Sequence, residues 1–351
     1  MRKPLFSRNE SFPMRIWIPL IAAATASAAP AVAQTQAELD RFAELSALYQ
    51  SATIVGEPSV EPCILSQGAQ AHCMKITVVA APSDHITGPY CPLNINDTAE
   101  DGGTWFVDGE VRDVDGDFIA NLAEIYQDDA WHMFDPETGD IYVRNNEIGC
   151  IVAGDPTNET GQPDNICVDC SLGFIGKTVT RTYFIPLSPV PTDGQKGDVH
   201  GGIGVALNGV KVEGPAPLEL ILGEHTLGPF DDCGGHINPS EGYHYHGIQE
   251  DCGARADAAL SGHAARLGVA LDGYDLYDQH DLDGTEPADL DACRGHMTEG
   301  LGYHYHVEAA GTNEILPCLT AQTGCSLDDP DASCNASIGG GRPAGPPPRN
   351  D

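Results

Sequence analysis

Two stretches of the chain concentrate histidine at matched spacing. The first reads Cys233-Gly-Gly-His236 and then, after seven residues, His244-Tyr245-His246. The second reads Cys293-Arg-Gly-His296 and, again after seven residues, His304-Tyr305-His306. Gly242-Tyr243 and Gly302-Tyr303 precede the two closing triplets. Upstream, Val205-Ala206-Leu207-Asn208-Gly209 matches Val269-Ala270-Leu271-Asp272-Gly273. Each unit is thus an apolar strand, an Asn-Gly or Asp-Gly turn, a Cys-x-x-His and a Tyr-His-Tyr-His strand, an internal repeat that chance spacing does not produce.

Side chains alternate faces along a strand, so His244 and His246 share one face, as do His304 and His306. Two imidazoles two residues apart sit roughly 6–7 Å apart at Cα, close enough for both to reach one ion. A third histidine arriving from a loop, His236 or His296, completes a three-nitrogen set. Catalytic zinc uses such a set with one position open, and copper also accepts imidazole. Tyr243, Tyr245, Tyr303 and Tyr305 fall on the reverse face, where their rings can pack and their hydroxyls can lock the strand. Asn208 and Asp272 are candidates for supporting the ligands from behind, or for the turn itself. A second reading stays open, in which the imidazoles only hydrogen-bond to carbonyls and carboxylates. Whether the copies form two sites or one also stays open.

The elements that must carry these residues read as mainly β. An amphipathic helix is expected over residues 37–50, with Leu39, Phe42, Leu45 and Leu48 at helical spacing. Strand-like runs follow at Lys75–Ala80, Thr104–Val107, Ile141–Arg144, Thr178–Pro186 and Ile203–Leu207, separated by turn-forming steps. The Ala-rich stretch 254–267 reads as a short helix or an insertion. The chain's 40 Gly and 26 Pro suit a loop-rich β body. The Gly-Pro-rich end cannot bury apolar surface and reads as disordered.

The N-terminus carries Arg2, Lys3, Arg8 and Arg15, then an apolar run from Ile16 to Ala31, then Ala31-Val32-Ala33. This order of basic, apolar and small residues is that of a secretory signal peptide cut after Ala33. The run is short and contains Pro19 and Pro30, which argues against a membrane anchor. No other stretch is apolar and long enough to span a bilayer. The expected organisation is a signal peptide at 1–33, a helix and linker at 34–60, one disulfide-stapled domain with two pseudo-repeated strand units at 61–325, and a disordered tail at 326–351. The expected location is the periplasm or the cell exterior.

The formal net charge of −35 repels nucleic acid and anionic membranes, so neither is an expected partner. It suits cation handling or a salty habitat. All 12 cysteines lie beyond the signal, and an even number in an oxidising compartment implies disulfides. Cys63 and Cys73 flank a short loop. Cys167-Val-Asp-Cys170 reads as a tight disulfide or a redox pair; Ser171 excludes c-type haem attachment, and the flanks do not fit a thioredoxin-like turn.

The segment from Thr182 to about Cys318 resembles the YHYH-domain family. The carrying stretches are Tyr183-Phe-Ile-Pro-Leu187, Gly204-Val-Ala-Leu-Asn-Gly-Val210, Cys233-Gly-Gly-His236, Gly242-Tyr-His-Tyr-His246, Leu271-Asp-Gly-Tyr-Asp-Leu-Tyr277, Leu290-Asp-Ala-Cys-Arg-Gly-His296 and Gly302-Tyr-His-Tyr-His306. The resemblance implies an exported protein suspected of holding metal, with the domain reaching back over Cys73 to Gln195. The sequence departs from the family at Leu276-Tyr277-Asp278, where a more acidic loop follows (Asp278, Asp281, Asp283, Glu286). The repeat further predicts bridges Cys233–Cys252 and Cys293–Cys318, with thiolate ligation the alternative.

Two acidic runs, Asp113-Val-Asp115-Gly-Asp117 with Glu124 and the Asp278–Glu286 loop, are weak calcium candidates; the first departs from the EF-hand pattern. No hydrolase elbow, phosphate loop or dinucleotide fingerprint is present, and no pattern nominates a nucleophile. The sequence therefore favours an exported binder of copper or zinc through His236, His244, His246, His296, His304 and His306. A metal-dependent extracytoplasmic enzyme and a structural surface protein are the alternatives.

Overall fold

The structure, a computed structural model, describes residues 33–338 apart from 50–53, 154–164, 175–178, 198, 200–201, 240 and 250–262. The expected signal segment up to residue 32, the expected bridge partner Cys252 and most of the 254–267 segment lie outside the described residues. The chain is mainly β, 31% strand against 17% helix, and one unit takes in everything described from Thr35 onward.

Helix α1, Gln36–Leu48, starts where Thr35 can cap it. The Thr35 hydroxyl accepts from the Glu38 amide at 3.2 Å, and the Glu38 carboxylate accepts from the Thr35 amide at 2.7 Å. This reciprocal pair satisfies two amides that a helix start leaves over. Arg41 on α1 reaches Asp275 at 2.6 Å, and the Tyr49 hydroxyl donates to the Val205 carbonyl at 2.7 Å. Both contacts tie the helix to the sheet that carries the histidines.

A four-stranded antiparallel sheet comes first, built from β1 (Ser59–Ile64), β2 (Gln70–Val79), β7 (Thr180–Pro186) and β17 (Cys325–Leu327) in that order. A β-ribbon, β3 (Thr104–Val107) and β4 (Glu110–Asp113), lies between β2 and β7 in the chain. So do α2 (Gly116–Ala120), α3 (Leu122–Ile125), β5 (Val143–Arg144), α4 (Glu147–Ala153) and β6 (Ile166–Val168). Further on, α5 is Leu218–Gly223, and β10 (Thr226–Leu227) pairs with β6.

The repeat forms a second sheet of eight strands: β8 (Gly204–Ala206), β9 (Lys211–Val212), β11 (Gly235–Asn238), β12 (Gly242–Tyr245), β13 (Arg266–Ala270), β14 (Asp275–Tyr277), β15 (Gly295–Thr298) and β16 (Gly302–His306). Its order is β11-β12-β9-β8-β13-β14-β16-β15, in which each half mirrors the other. The centre is the antiparallel pair β8–β13, where Val205 stands opposite Val269. A local two-fold axis therefore relates the two copies, and they share one sheet. In each half the Asn208-Gly209 or Asp272-Gly273 turn joins the first two strands. The glycines take φ of +88° and +92°, which an L side chain adopts only with strain. The Gly209 amide closes the turn on the Ala206 carbonyl at 2.9 Å, as Gly273 does on Ala270.

Several expectations are corrected. Cys167 and Cys170 do not pair with each other: Cys167 bonds Cys91 and Cys170 bonds Cys150, so the tight or redox pair is two long-range staples. Residues 326–338 are not tail. Strand β17 pairs with β7, Cys325 bonds Cys334, and a short turn of helix covers Ala336–Ile338. Arg266 and Leu267, the described end of the 254–267 stretch expected to be a short helix or an insertion, open β13, because pairing with β8 and β14 outweighs the local alanine preference. Asp115 serves as the cap of α2, accepting from the Phe118 amide at 2.7 Å, and does not form a calcium loop with Asp113 and Asp117. Cys63–Cys73 and Cys293–Cys318 are bonded as the spacing suggested, and Cys233 is also in a disulfide. No free cysteine remains among the described residues, which removes thiolate ligation there.

Candidate metal centres

Each histidine pair stands on a hairpin whose register brings in the third ring. On β11–β12, His236 is directly opposite His244; on β15–β16, His296 is directly opposite His304. The third histidine thus comes from a paired strand, correcting the expected loop. Facing residues on an antiparallel pair share a face, and His246 and His306 lie two residues further along it. Two separate groups result, so the copies do not converge on one site. His236, His244 and His246 form the first; His296, His304, His306 and His263 form the second. The two closing strands are five steps apart in the sheet, on the order of 24 Å at about 4.8 Å per step.

In the first group the ring centroids are 4.8, 4.9 and 5.1 Å apart, with the rings crossing at 72–89°. In the second, the Nε2 of His296 is 2.9 Å from that of His304 and 3.2 Å from that of His306. The Nε2 of His263 is 3.0 Å from that of His304 and 3.2 Å from that of His306.

The other ring nitrogens of the six repeat histidines are committed elsewhere. The Nδ1 of His236, His244 and His246 donates to the carbonyls of Gly228, Gly242 and Gly214 at 3.0, 3.2 and 2.7 Å. The Nδ1 of His304 and His306 donates to the carbonyls of Gly302 and Asp278 at 2.9 and 2.7 Å, and His296 pairs with the Asp289 carboxylate at 2.8 Å. A carbonyl can only accept, so the five rings bonded to carbonyls carry a proton on Nδ1. Burial, with help from the neighbouring rings, pushes His236, His244 and His246 down to about 3, and burial pushes His304 and His306 down to about 4. At neutral pH these rings are therefore uncharged, with the Nε2 lone pair turned inward. Neutral imidazoles fixed through Nδ1 by a carbonyl or carboxylate are the arrangement metal-binding histidines adopt.

The tyrosines hold the strands from behind, in parallel fashion in both copies. The Tyr243 hydroxyl donates to Asp231 at 2.8 Å, and the Tyr303 hydroxyl to Asp291 at 2.9 Å. Asn208 donates to the Tyr245 hydroxyl at 2.8 Å, while the Tyr305 hydroxyl donates to Asp272 at 2.6 Å. Asp231 and Asp291 also accept from the amides of Cys233 and Gly235, and of Cys293 and Gly295. A Cβ on Gly295 would stand 2.0 Å from the Tyr303 hydroxyl, and one on Gly235 would stand 2.4 Å from the Tyr243 ring. The glycines before His236 and His296 are what leave room for the two tyrosines.

The surroundings differ. Beside His244 stands the Lys211 ammonium, paired with Glu213 and with Glu241 at 2.7 Å. Beside the second group stand Asp289 and Asp281, the latter 3.7 Å from His263. The acidic loop is thus part of the wall around the second group: Asp278 supplies its carbonyl to His306, and Glu286 pairs with Arg294. Three participants were not among the sequence candidates. Asp231 and Asp291 were visible as a matched acid five residues before His236 and His296. His263 was hidden in the Ala-rich stretch, with no spacing signal of its own.

No helix among the described residues is long and apolar enough to cross a membrane. No curated protein and no solved structure gives a significant match to the chain. A family model described as YHYH protein matches residues 182–288, which takes in the first histidine strand and stops before the second. The chain carries a YHYH domain.

Proposed function

We propose that this protein is an exported holder of transition-metal ions, copper or zinc, bound at two mononuclear imidazole centres. The observation that carries the reading is the direction of the rings. With Nδ1 spent on carbonyls, the Nε2 atoms of His304 and His306 have no proton to offer, yet they face other Nε2 atoms at 2.9–3.2 Å. Two acceptor nitrogens thus converge with those of His296 and His263 on one point. A cation at that common focus accepts all four as donors at once. The donors are all imidazole, which suits borderline divalent ions such as Cu²⁺ and Zn²⁺. Export accords with five disulfides and no free thiol among the described residues.

The test is elemental analysis of protein purified without chelator. Two equivalents are expected in the parent. His244→Ala/His246→Ala should lose one equivalent, and His304→Ala/His306→Ala the other. A well-folded parent that takes up no metal would leave the rings as a hydrogen-bonded core and end this reading.

An enzymatic role has one observation in its favour. The buried Lys211 and Glu213 and the half-buried Glu241 beside His244 could handle protons at a metal-activated water. Metal-dependent hydrolysis of ester or phosphate substrates, lost in Glu213→Gln with metal content intact, would support it.

A further inference from the structure

We infer that the second centre is a closed four-imidazole cage, that His263 is its fourth ligand, and that its ion is structural. This rests on the metal reading above and adds a role. His263 is 9% exposed, and the ligand atoms of all four histidines lie within 4.8 Å of one another. With Zn–N bonds of about 2.0–2.1 Å, a tetrahedral ion has N···N edges of about 3.3 Å. Four of the six separations in the second centre, the Nε2 contacts of 2.9–3.2 Å, are close to such edges, while the remaining pairs, His263–His296 and His304–His306, have ring centroids 5.9 and 5.4 Å apart. An ion that draws all four nitrogens into tetrahedral coordination has a complete sphere, so no position remains for water or substrate. Closed tetrahedral sites of this kind are the structural ones.

His263 is held for this task. The amide of the next residue, Ala264, donates to the Asp281 carboxylate at 2.9 Å, and the His263 ring stands edge-on to Tyr277 at 4.9 Å. Three residues on, the chain enters β13, the strand at the middle of the sheet. The other three ligands stand on β15 and β16, at the sheet's end. An ion in the cage therefore ties the centre of the sheet to its edge, across β14.

The test uses cobalt as a coloured substitute for zinc and azide as a probe of open positions. The parent and His263→Gly, both as the full chain, are loaded with Co²⁺ and titrated with azide while the visible absorption is followed. The expected result is one more azide-responsive cobalt per chain in His263→Gly than in the parent, with added imidazole abolishing the extra response. Two cobalts in both proteins with equal azide counts would overturn the inference while leaving the metal reading intact. A parent that binds no cobalt and no zinc would overturn both. If His263→Gly does not fold or loses its second cobalt, X-ray absorption on zinc-loaded His244→Ala/His246→Ala decides. Four imidazole nitrogens support the cage, and three with an oxygen donor overturn it.

Discussion

His296 and His304 face each other across the β15–β16 hairpin with their Nε2 atoms 2.9 Å apart, while the Nδ1 of each is bound away from the centre. An ion between the rings is held by both nitrogens only while the hairpin is folded. Metal should therefore act as a strong stabilising ligand of the folded state. At free ion a thousandfold above the dissociation constant, one site adds about 4 kcal/mol. Melting with and without chelator, at fixed protein concentration, should show a drop of at least several degrees on metal removal. An unchanged melting temperature would count against occupation of either centre.

Acid should unfold the metal-free protein earlier than carboxylate titration alone would. His236, His244 and His246 are pushed down to about 3, and His304 and His306 to about 4, by burial in the fold. In the unfolded chain histidine protonates near 6.5. Between these values the unfolded state binds more protons, so stability rises with pH and is lost as pH falls below about 6.5. Each such ring contributes a slope of about 1.4 kcal/mol per pH unit in that window. Denaturant midpoints measured from pH 7.5 down to 4.5 should fall steeply. Replacing His304 and His306 by Gln should flatten the curve.

Asp272 should show the opposite sign. It is fully buried, and burial pushes it up to about 6 despite donors from Tyr305, Ala321 and Tyr274. A raised carboxyl contributes stability that is fully present below the unfolded value near 3.9 and is lost as pH rises through about 6. The first copy has Asn208 at the matching place, with its amide on Tyr245. The cost of Asp272→Asn should therefore be smaller at pH 7.5 than at pH 4 by about 3 kcal/mol, the worth of a shift of about two pKa units. Equal costs at the two pH values would mean that the carboxyl ionises normally in the fold.

How much of this was legible in the residues follows from what each feature depends on. The ligand faces were legible because strand alternation is local: His244 and His246 share a face whatever surrounds them. The tyrosine role was legible for the same reason. The Asp partners were half-legible, since Asp231 and Asp291 repeat at the same offset but resemble ordinary turn acids. The mirrored sheet was not legible, because the repeat gives two units but not the β8–β13 pairing that joins them. His263 was invisible because it enters the second centre through that pairing, from a segment with helix-favouring composition. The bridges Cys91–Cys167 and Cys150–Cys170 join segments up to 76 residues apart, and spacing along the chain carries no information at that range.

The two copies should differ in how much they depend on the Tyr–Asp contact. Tyr243 is fully buried, and its hydroxyl donates to Asp231, a carboxyl that burial raises and this bond lowers again. Removing the hydroxyl takes one donor from a buried carboxyl that keeps only its amide partners, so Tyr243→Phe should cost about 2 kcal/mol. Tyr303 makes the matching bond to Asp291 but is only partly buried. Water can replace its hydroxyl, so Tyr303→Phe should cost about 1 kcal/mol or less. Urea midpoints of the two variants provide the comparison, and metal analysis provides a second readout. Asp231 also fixes the amides of Cys233 and Gly235, which set the strand bearing His236. Tyr243→Phe should thus weaken the first centre's hold on its ion, while Tyr303→Phe leaves the second centre loaded. Equal penalties in the two copies would show that solvent reaches Asp231 as readily as it reaches Asp291.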